Sequence, residues 1–313
     1  MLRLSSLLLF CFCQITICKA NNFYHDRDTS AILGRWDITV KNSKNDFPSW
    51  LEIIRSGNHG LVGYFVASGG SARPVSRIFF ENGKLSFGIP PQWESGTDDL
   101  KFEATLQGDS LVGTMVFPNG KTFSCSAVHA PSLVRNSLPV WGKPTPLLHQ
   151  NDLKGWHTTG ENQWLVEKGI LKSSKPGSNI ITDATFTDFK LHVEFRYAVD
   201  GNSGVYLRGR YEVQIEDNAP GTAGVTQLGA VYGFLPASGS AGKKAGEWQS
   251  YDITLVGRMV TVVLNGTTII CNREIPGITG GALDSREAQP GPIMLQGDHE
   301  PIEFRNIVIT PAK

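Results

Sequence analysis

The stretch Asn202 to Asp217, NSGVYLRGRYEVQIED, carries a phenol, a guanidinium, a carboxylate and an amide at spacings that can bring them together. Side chains on a strand alternate between faces with a period of two. Strands over 205–208 and 212–216 therefore put Val205, Leu207, Val213 and Ile215 on one face and Tyr206, Arg208, Glu212 and Gln214 on the other. The turn decides whether the two strands agree. A two-residue turn at Gly209-Arg210 pairs Arg208 with Tyr211 and mixes the faces. A three-residue loop, Gly209 to Tyr211, pairs Arg208 with Glu212 and Tyr206 with Gln214, and hairpin loops of three residues containing Gly are common. The three-residue loop is the expectation, because a slip of one residue moves every side chain to the other face. Alternation leaves open whether the polar face binds or reacts; Arg208 and Glu212 would also serve as a plain cross-strand ion pair.

The elements that must position this hairpin are strands. With 313 residues the chain is long enough for two domains with their own cores. Its 34 Gly and frequent Asn-Gly and Gly-Asp pairs indicate a turn-rich, all-β protein. Lys+Arg and Asp+Glu both number 29, so no net field draws the chain to nucleic acid or to an anionic membrane. Residues 1–20 have the pattern of a secretory signal peptide: Arg3, an apolar run from Leu7 to Ile17, and small residues at Cys18 and Ala20. The expectation is a secreted or periplasmic protein with no transmembrane span after signal cleavage, the apolar run being shorter than the ~20 residues of a span. Cys125 and Cys271 remain and fall in different halves, so a disulfide is possible but not implied.

From 31 to 129 short strands follow one another with turn signals between them, Asn82-Gly83 being the strongest. Trp36, Ile38 and Val40 share one face of the first strand. Such a run, of roughly eight strands, favours a lipocalin-like up-and-down barrel or closed sandwich acting as an accessory domain. Pro131, Pro139, Pro144 and Pro146 mark 130–148 as a semi-rigid linker. From 149 to 313 longer strands alternate well, notably Leu191, Val193, Phe195 and Tyr197 against His192, Glu194 and Arg196. Long antiparallel strands with one apolar face each argue for two packed sheets, a jelly-roll sandwich.

Several motifs in this half occur in a specific order: Phe189-x-Leu191-x-Val193-Glu194-Phe195-Arg196, Asn202-Ser203-Gly204-Val205-Tyr206-Leu207-Arg208, Tyr211 to Asp217, Gly246-Glu247-Trp248-Gln249-x-Tyr251-Asp252-Ile253 and Gly291 to His299. Together they resemble the 3-keto-disaccharide hydrolase domain family, a concanavalin-like sandwich related to laminarinase-type glycosidases. The resemblance covers about Leu147 to Ile309 and leaves the N-terminal half outside. Glu300 stands where Gly commonly follows the His, and the opening lacks a Gly until Gly155.

The resemblance implies a carbohydrate or glycoside substrate whose sugar is already oxidised to a ketone at C3. That ketone acidifies the C2 proton, so the glycosidic bond can break by proton abstraction and elimination, followed by hydration. This route needs a base, an acid for the leaving oxygen and a donor for the enolate. Glu212 and His299 are the candidate base and acid, and Arg208 the charge stabiliser. Tyr206, Gln214, Glu194, Tyr232, Trp248 and Gln296 are candidate substrate contacts. No cofactor is certain; Asp217 and Asp298 are possible ligands of a divalent cation, or orienting groups.

Two other readings remain. Glu212-Val213-Gln214-Ile215-Glu216 is similar to the Glu-Ile-Asp-Ile-Glu strand of laminarinases, which are retaining hydrolases. Cα atoms four apart on a strand lie ~13 Å apart, against a carboxyl spacing of about 5–5.5 Å in retaining enzymes, and Gln214 replaces the middle acid. Alternatively the domain is a non-catalytic carbohydrate-binding module, in which Trp156, Trp164, Trp248 and Tyr232 could stack on sugar rings. The Gly-, Ala- and Ser-rich segment from Asn218 to Gly246 is long enough to be a lid or binding loop.

Overall fold

The computed structural model describes residues 29–58, 60–217, 224–239 and 241–313. The expected leader, residues 1–20, and His59 lie outside the described residues, as does part of the segment 218–246. Apart from a single 3-10 turn at Ser30–Ile32, every regular element among the described residues is a strand. No helix among them is long and apolar enough to cross a membrane.

Nine strands between Gly34 and His129 form one antiparallel sheet, in which the last, Thr122–His129, pairs back with the first, Gly34–Val40. The short strand Arg73–Val75 comes against Lys84–Ile89 from the other end of the sheet, which curls it into a barrel. Asn82 and Gly83 both take positive φ, 52° and 75°, so Glu81 pairs directly with Lys84 across a two-residue turn. Trp36, Ile38 and Val40 point inward and are fully buried with Leu51, Phe65 and Phe102 in the barrel core.

Part of the outward face of the first three strands is buried as well. Asp37, Trp50 and Val66 stand side by side across three adjacent strands. None of the three is more than 3% exposed, because the C-terminal half packs against them. Trp50 meets Phe234 edge to face at 5.2 Å between centroids, and its indole leaves no room for a Cβ on Gly277. Trp50 and Val66 thus belong to the core of the C-terminal half. Around them Arg35 pairs with Glu274 at 2.6 Å, and the Thr39 and Ser285 hydroxyls lie 2.6 Å apart. Asp37 makes its contact with Glu287, to which its carboxyl donates a hydrogen bond.

The C-terminal half consists of two packed sheets. The larger runs in the order Trp164–Glu167, Ile170–Ser173, Ile302–Pro311, Phe189–Tyr197, Gln249–Val256, Met259–Leu264 and Thr267–Glu274. The smaller runs Trp156–Thr158, Ile180–Thr182, Met294–Leu295, Asn202–Leu207 and Tyr211–Glu216. Leu191, Val193, Phe195, Tyr251, Ile253 and Leu255 of the first face Val205, Leu207, Val213 and Ile215 of the second in one core. This is the jelly-roll-type sandwich read from the alternation. The segment 130–148 is laid along the sandwich. Arg135 forks onto Asp188 at 2.6 and 3.0 Å, Leu133 is buried, and Thr145–Pro146 joins the edge of Ile302–Pro311. Cys125 and Cys271 are free thiols, the first buried and the second exposed.

The contact between the halves has a pH signature. Burial and the neighbouring Glu287 raise the Asp37 carboxyl well above its ordinary range, while hydrogen bonds and charge from Arg258 hold Glu287 low. The folded protein therefore keeps a proton on Asp37 that the unfolded chain releases above the ordinary Asp range. Stability falls with rising pH wherever the native state binds the extra proton, by at most about 1.4 kcal/mol per pH unit. Denaturant unfolding between pH 5 and 9 is expected to show the unaltered protein losing stability relative to Asp37→Asn. Parallel pH profiles for the two would rule out the shared proton.

Candidate functional site

The hairpin read from the sequence is present, but its register is shifted. Strands Asn202–Leu207 and Tyr211–Glu216 pair Tyr206 with Glu212 and Gly204 with Gln214. The loop has three residues, Arg208, Gly209 and Arg210, rather than Gly209 to Tyr211. The expected pairing and the observed one differ by two residues, and a shift of two keeps every side chain on its face. Face consistency therefore could not distinguish them. Arg208 adopts φ of 54° as the first loop residue, a conformation uncommon outside Gly. Its guanidinium turns to the interior, donating to the Tyr211 hydroxyl at 2.7 Å and to the Glu287 carbonyl at 3.2 Å. Arg208 is thus an anchor of the hairpin, and the expectation that it stabilises charge beside Glu212 is corrected. Arg210 plays a similar part through Asp284 at 2.9 Å and the Gln289 carbonyl.

Tyr206, Glu212, Gln214 and Gln296 share the face of the smaller sheet turned away from the sandwich core. Tyr206 and Glu212 are direct partners, and the Gln296 backbone N–H donates to the Gly204 carbonyl beside them. Gly204 is required here, because the Glu212 carboxylate occupies the space a Cβ would take. The segment after the hairpin folds back along the free edge of Tyr211–Glu216. Gln214 N–H donates to Ala230, Gly229 to Gln214 and Tyr232 to the Glu212 carbonyl. The part of the long loop described here is therefore docked, and it carries Tyr232 to the site.

A second segment, 277–287, covers the same face from the other side. Thr279 Oγ1 accepts from the Glu212 backbone N–H at 3.0 Å, and Gly280 presents its carbonyl 3.0 Å from the Tyr206 hydroxyl. The Gly281 N–H is held by the Ser68 carbonyl of the barrel. Glu212 is 3% exposed, and burial pushes its carboxyl up to about 8; the Tyr206 hydrogen bond and the His299 charge pull it down, while Asp298 and Glu216 push it up. The Tyr206 hydroxyl lies 2.8 Å from Glu212 Oε2 as well as 3.0 Å from Gly280 O, yet has one hydrogen to give. Neutral Glu212 can donate to the tyrosine oxygen while the tyrosine donates to Gly280. Ionised Glu212 takes the tyrosine hydrogen instead. Both protonation states of Glu212 thus have a hydrogen-bonded arrangement.

His299 lies in the loop after Gln296, its Nδ1 bonded to Asp298 at 2.8 Å. That bond raises its pKa above the ordinary imidazole value, with Glu212 contributing further. Three acceptors on this face are buried without a hydrogen-bond partner, Gln214 Oε1, Glu216 Oε2 and Gln296 Oε1; elsewhere Asp37 Oδ1, Gln227 Oε1 and Thr29 Oγ1 share that condition. Unpaired buried acceptors are costly, and three together suit a ligand rich in hydroxyl donors. Alternation alone could have added Glu216, two residues beyond Gln214, to the site.

Two expected substrate contacts are elsewhere. Glu194 lies on the outer face of the larger sheet, bonded to Arg305 and Asn306 at 2.6 Å each. Trp248 is held on that outer face between the guanidinium groups of Arg305 and Arg196. Both belong to the sheet behind the core, so the expectation that they bind substrate with Glu212 is corrected. Trp156 and Trp164 are core residues. Of the possible cation ligands, Asp217 accepts the Asp200 backbone N–H and Asp298 is engaged with His299. No group of three His, Cys, Asp or Glu suited to a metal ion occurs among the described residues.

The family model for the 3-keto-alpha-glucoside-1,2-lyase-like domain matches residues 143–310. Among solved structures, a protein classed as a glycosyl hydrolase from Parabacteroides distasonis ATCC 8503 is similar at 33% identity. The match covers 53% of this chain and 82% of that one, with a TM-score of 0.47. A second such protein from the same organism matches at 28% identity over 54% of this chain and 98% of that one, TM-score 0.43. A carbohydrate-binding module from Bacillus subtilis matches at 16% identity over 49% and 93%, TM-score 0.34. Among curated protein sequences none matches. On the extent of the family match, the chain belongs to the 3-keto-alpha-glucoside-1,2-lyase-like family and is a carbohydrate-active protein.

Proposed function

We propose that the protein cleaves glycosides whose sugar ring carries a ketone at C3, by elimination across C1 and C2 followed by hydration. The observation that carries this reading is Glu212: a buried carboxyl held near neutral pKa beside Tyr206 and His299, on a face with three unpaired acceptors. A base works best when its pKa lies close to the operating pH. Glu212 takes the C2 proton, which the C3 ketone has made acidic. The electrons of the C2–H bond form the enolate, and their return through C2 expels the oxygen at C1. His299, kept protonated by Asp298, gives that oxygen a proton as it leaves. The products are the free alcohol and a 1,2-unsaturated 3-keto sugar, to which water then adds to give the free 3-keto sugar. With Arg208 turned inward, the Tyr232 hydroxyl and the Gln296 amide are the donors left for the enolate oxygen. Gln214, Glu216 and Gln296 receive the sugar hydroxyls.

Five measurements test this. The protein is expected to cleave a 3-keto-glucoside and leave its unoxidised parent intact; in heavy water the product should carry deuterium at C2. Cleavage of the parent at a comparable rate would instead point to ordinary glycoside hydrolysis. Glu212→Gln should lower kcat by about 10²–10⁴-fold with the fold retained, and near-normal turnover would remove Glu212 as the base. The kcat/KM profile should be bell-shaped with its optimum above pH 7, because Glu212, raised to about 8, must be ionised while His299, raised above its ordinary value, keeps its proton. Tyr206→Phe deletes the hydrogen bond that favours ionised Glu212, so the optimum should move to higher pH. An unmoved optimum would show that another group titrates.

A further inference from the structure

The N-terminal barrel places an aromatic side chain at this site that no part of the family match contains. Trp93 lies in the barrel loop between Lys84–Ile89 and Leu100–Gln107, and it is 76% exposed. The loop around it is braced on both sides. Gln92 Oε1 accepts the Ser71 N–H at 3.0 Å. Glu94 pairs with Arg73 at 2.7 Å and receives the backbone N–H groups of Gln92 and Trp93. An indole left in water on so constrained a loop forgoes much apolar burial, and its rigidity lowers the entropic cost of binding something against it.

Two routes join Trp93 to Glu212. The Trp93 indole lies near enough to the Tyr232 hydroxyl to favour its ionised form, and Tyr232 in turn senses the charges of Glu212 and Glu216. The Tyr232 backbone N–H is bound to the Glu212 carbonyl at 3.0 Å. On the other side the indole Cδ1 lies 3.1 Å from where a Cβ on Gly70 would sit, and the Gly70 backbone packs directly on Gly280. Gly280 carries the carbonyl that receives Tyr206. The exposed ring therefore stands at the rim of the face whose floor is Glu212.

We propose that Trp93 forms a stacking subsite for the leaving group of the glycoside, the second sugar ring or aryl aglycone attached at C1. This deepens the function proposed above and rests on it. The ring that loses its C2 proton must reach Glu212 on the floor, so what projects to the rim is the group at C1. The C–H bonds on one face of a pyranose carry partial positive charge and suit the negative face of an indole. On this arrangement the barrel recognises the leaving group and the sandwich performs the chemistry.

The test compares a 3-keto-disaccharide with the corresponding methyl 3-keto-glucoside, whose leaving group is too small to stack. Trp93→Ala should raise KM for the disaccharide about ten-fold more than KM for the methyl glycoside. Trp93→Phe keeps a ring but lacks the indole N–H near Tyr232, and should restore most of the preference for the disaccharide. If both substrates suffer equally in Trp93→Ala, or if Phe restores nothing, Trp93 serves only to position Tyr232 and the subsite is overturned. No turnover of either substrate by the unaltered protein would overturn the functional reading and the subsite with it. Trp93 is exposed, so matching thermal midpoints check that the variants are folded.

Discussion

The segment 277–287 is clamped between the two halves, and the rest of the structure depends on that clamp. Gly277 lies against the Trp50 indole of the barrel, Ser285 meets Thr39, and Glu287 meets Asp37. From the other side Thr279 and Asp284 hold the hairpin through Glu212 and Arg210, and Gly280 takes up Tyr206. Irregular backbone buried on both sides needs partners for its polar groups, and here those partners come from barrel and sandwich together. The barrel is therefore a wall of the site, although it lies outside the family match.

Two buried carboxyls with raised pKa result, and their surroundings differ in kind. Asp37 donates to Glu287, which is itself held by Arg258 and by the Tyr211 hydroxyl at 2.5 Å. That network binds the two halves together. Glu212 has hydrogen-bonded arrangements for both protonation states, a His299 charge close enough to lower its pKa, and neighbours with acceptors still unpaired. A raised pKa alone does not separate a structural acid from a reactive one. What separates them is the company each keeps: Asp37 shares its proton with Glu287, itself paired with Arg258, while Glu212 shares its face with the unpaired acceptors of Gln214, Glu216 and Gln296.

The two arginines of the hairpin show how far a local pattern can mislead. Arg208 continues the polar alternation of the 205–208 stretch, and by period it belongs beside Glu212. It instead opens the loop at positive φ and points inward to Tyr211 and Glu287. Arginine is the cation most often buried where a planar fork finds several acceptors, and the carbonyls of Gly257 and Glu287 with the Tyr211 hydroxyl supply them. Glu194 and Trp248 mislead for another reason. They lie in motifs shared with the family, but their strands run in the sheet behind the core.

Alternation and turn chemistry were enough to determine the all-β class, the strands, and the polar face of Tyr206, Glu212 and Gln214, since each depends on neighbours two to four residues apart. Trp36, Ile38 and Val40 could be read as one buried face for the same reason. The ordered motifs also brought His299 and Gln296 to the site. Register lay beyond reach, because pairings that differ by two residues preserve every face. The second burial of the barrel, through Asp37 and Trp50, lay beyond it too: a polar and an aromatic residue on an outward face look solvated until a partner surface is present. Only the tertiary structure turned Arg208 away from Glu212, moved Glu194 and Trp248 to the far sheet, and brought Trp93 to the rim. Those placements depend on contacts with residues far along the chain, such as Glu287 for Arg208 and Arg305 for Glu194 and Trp248, on which local periodicity carries no information.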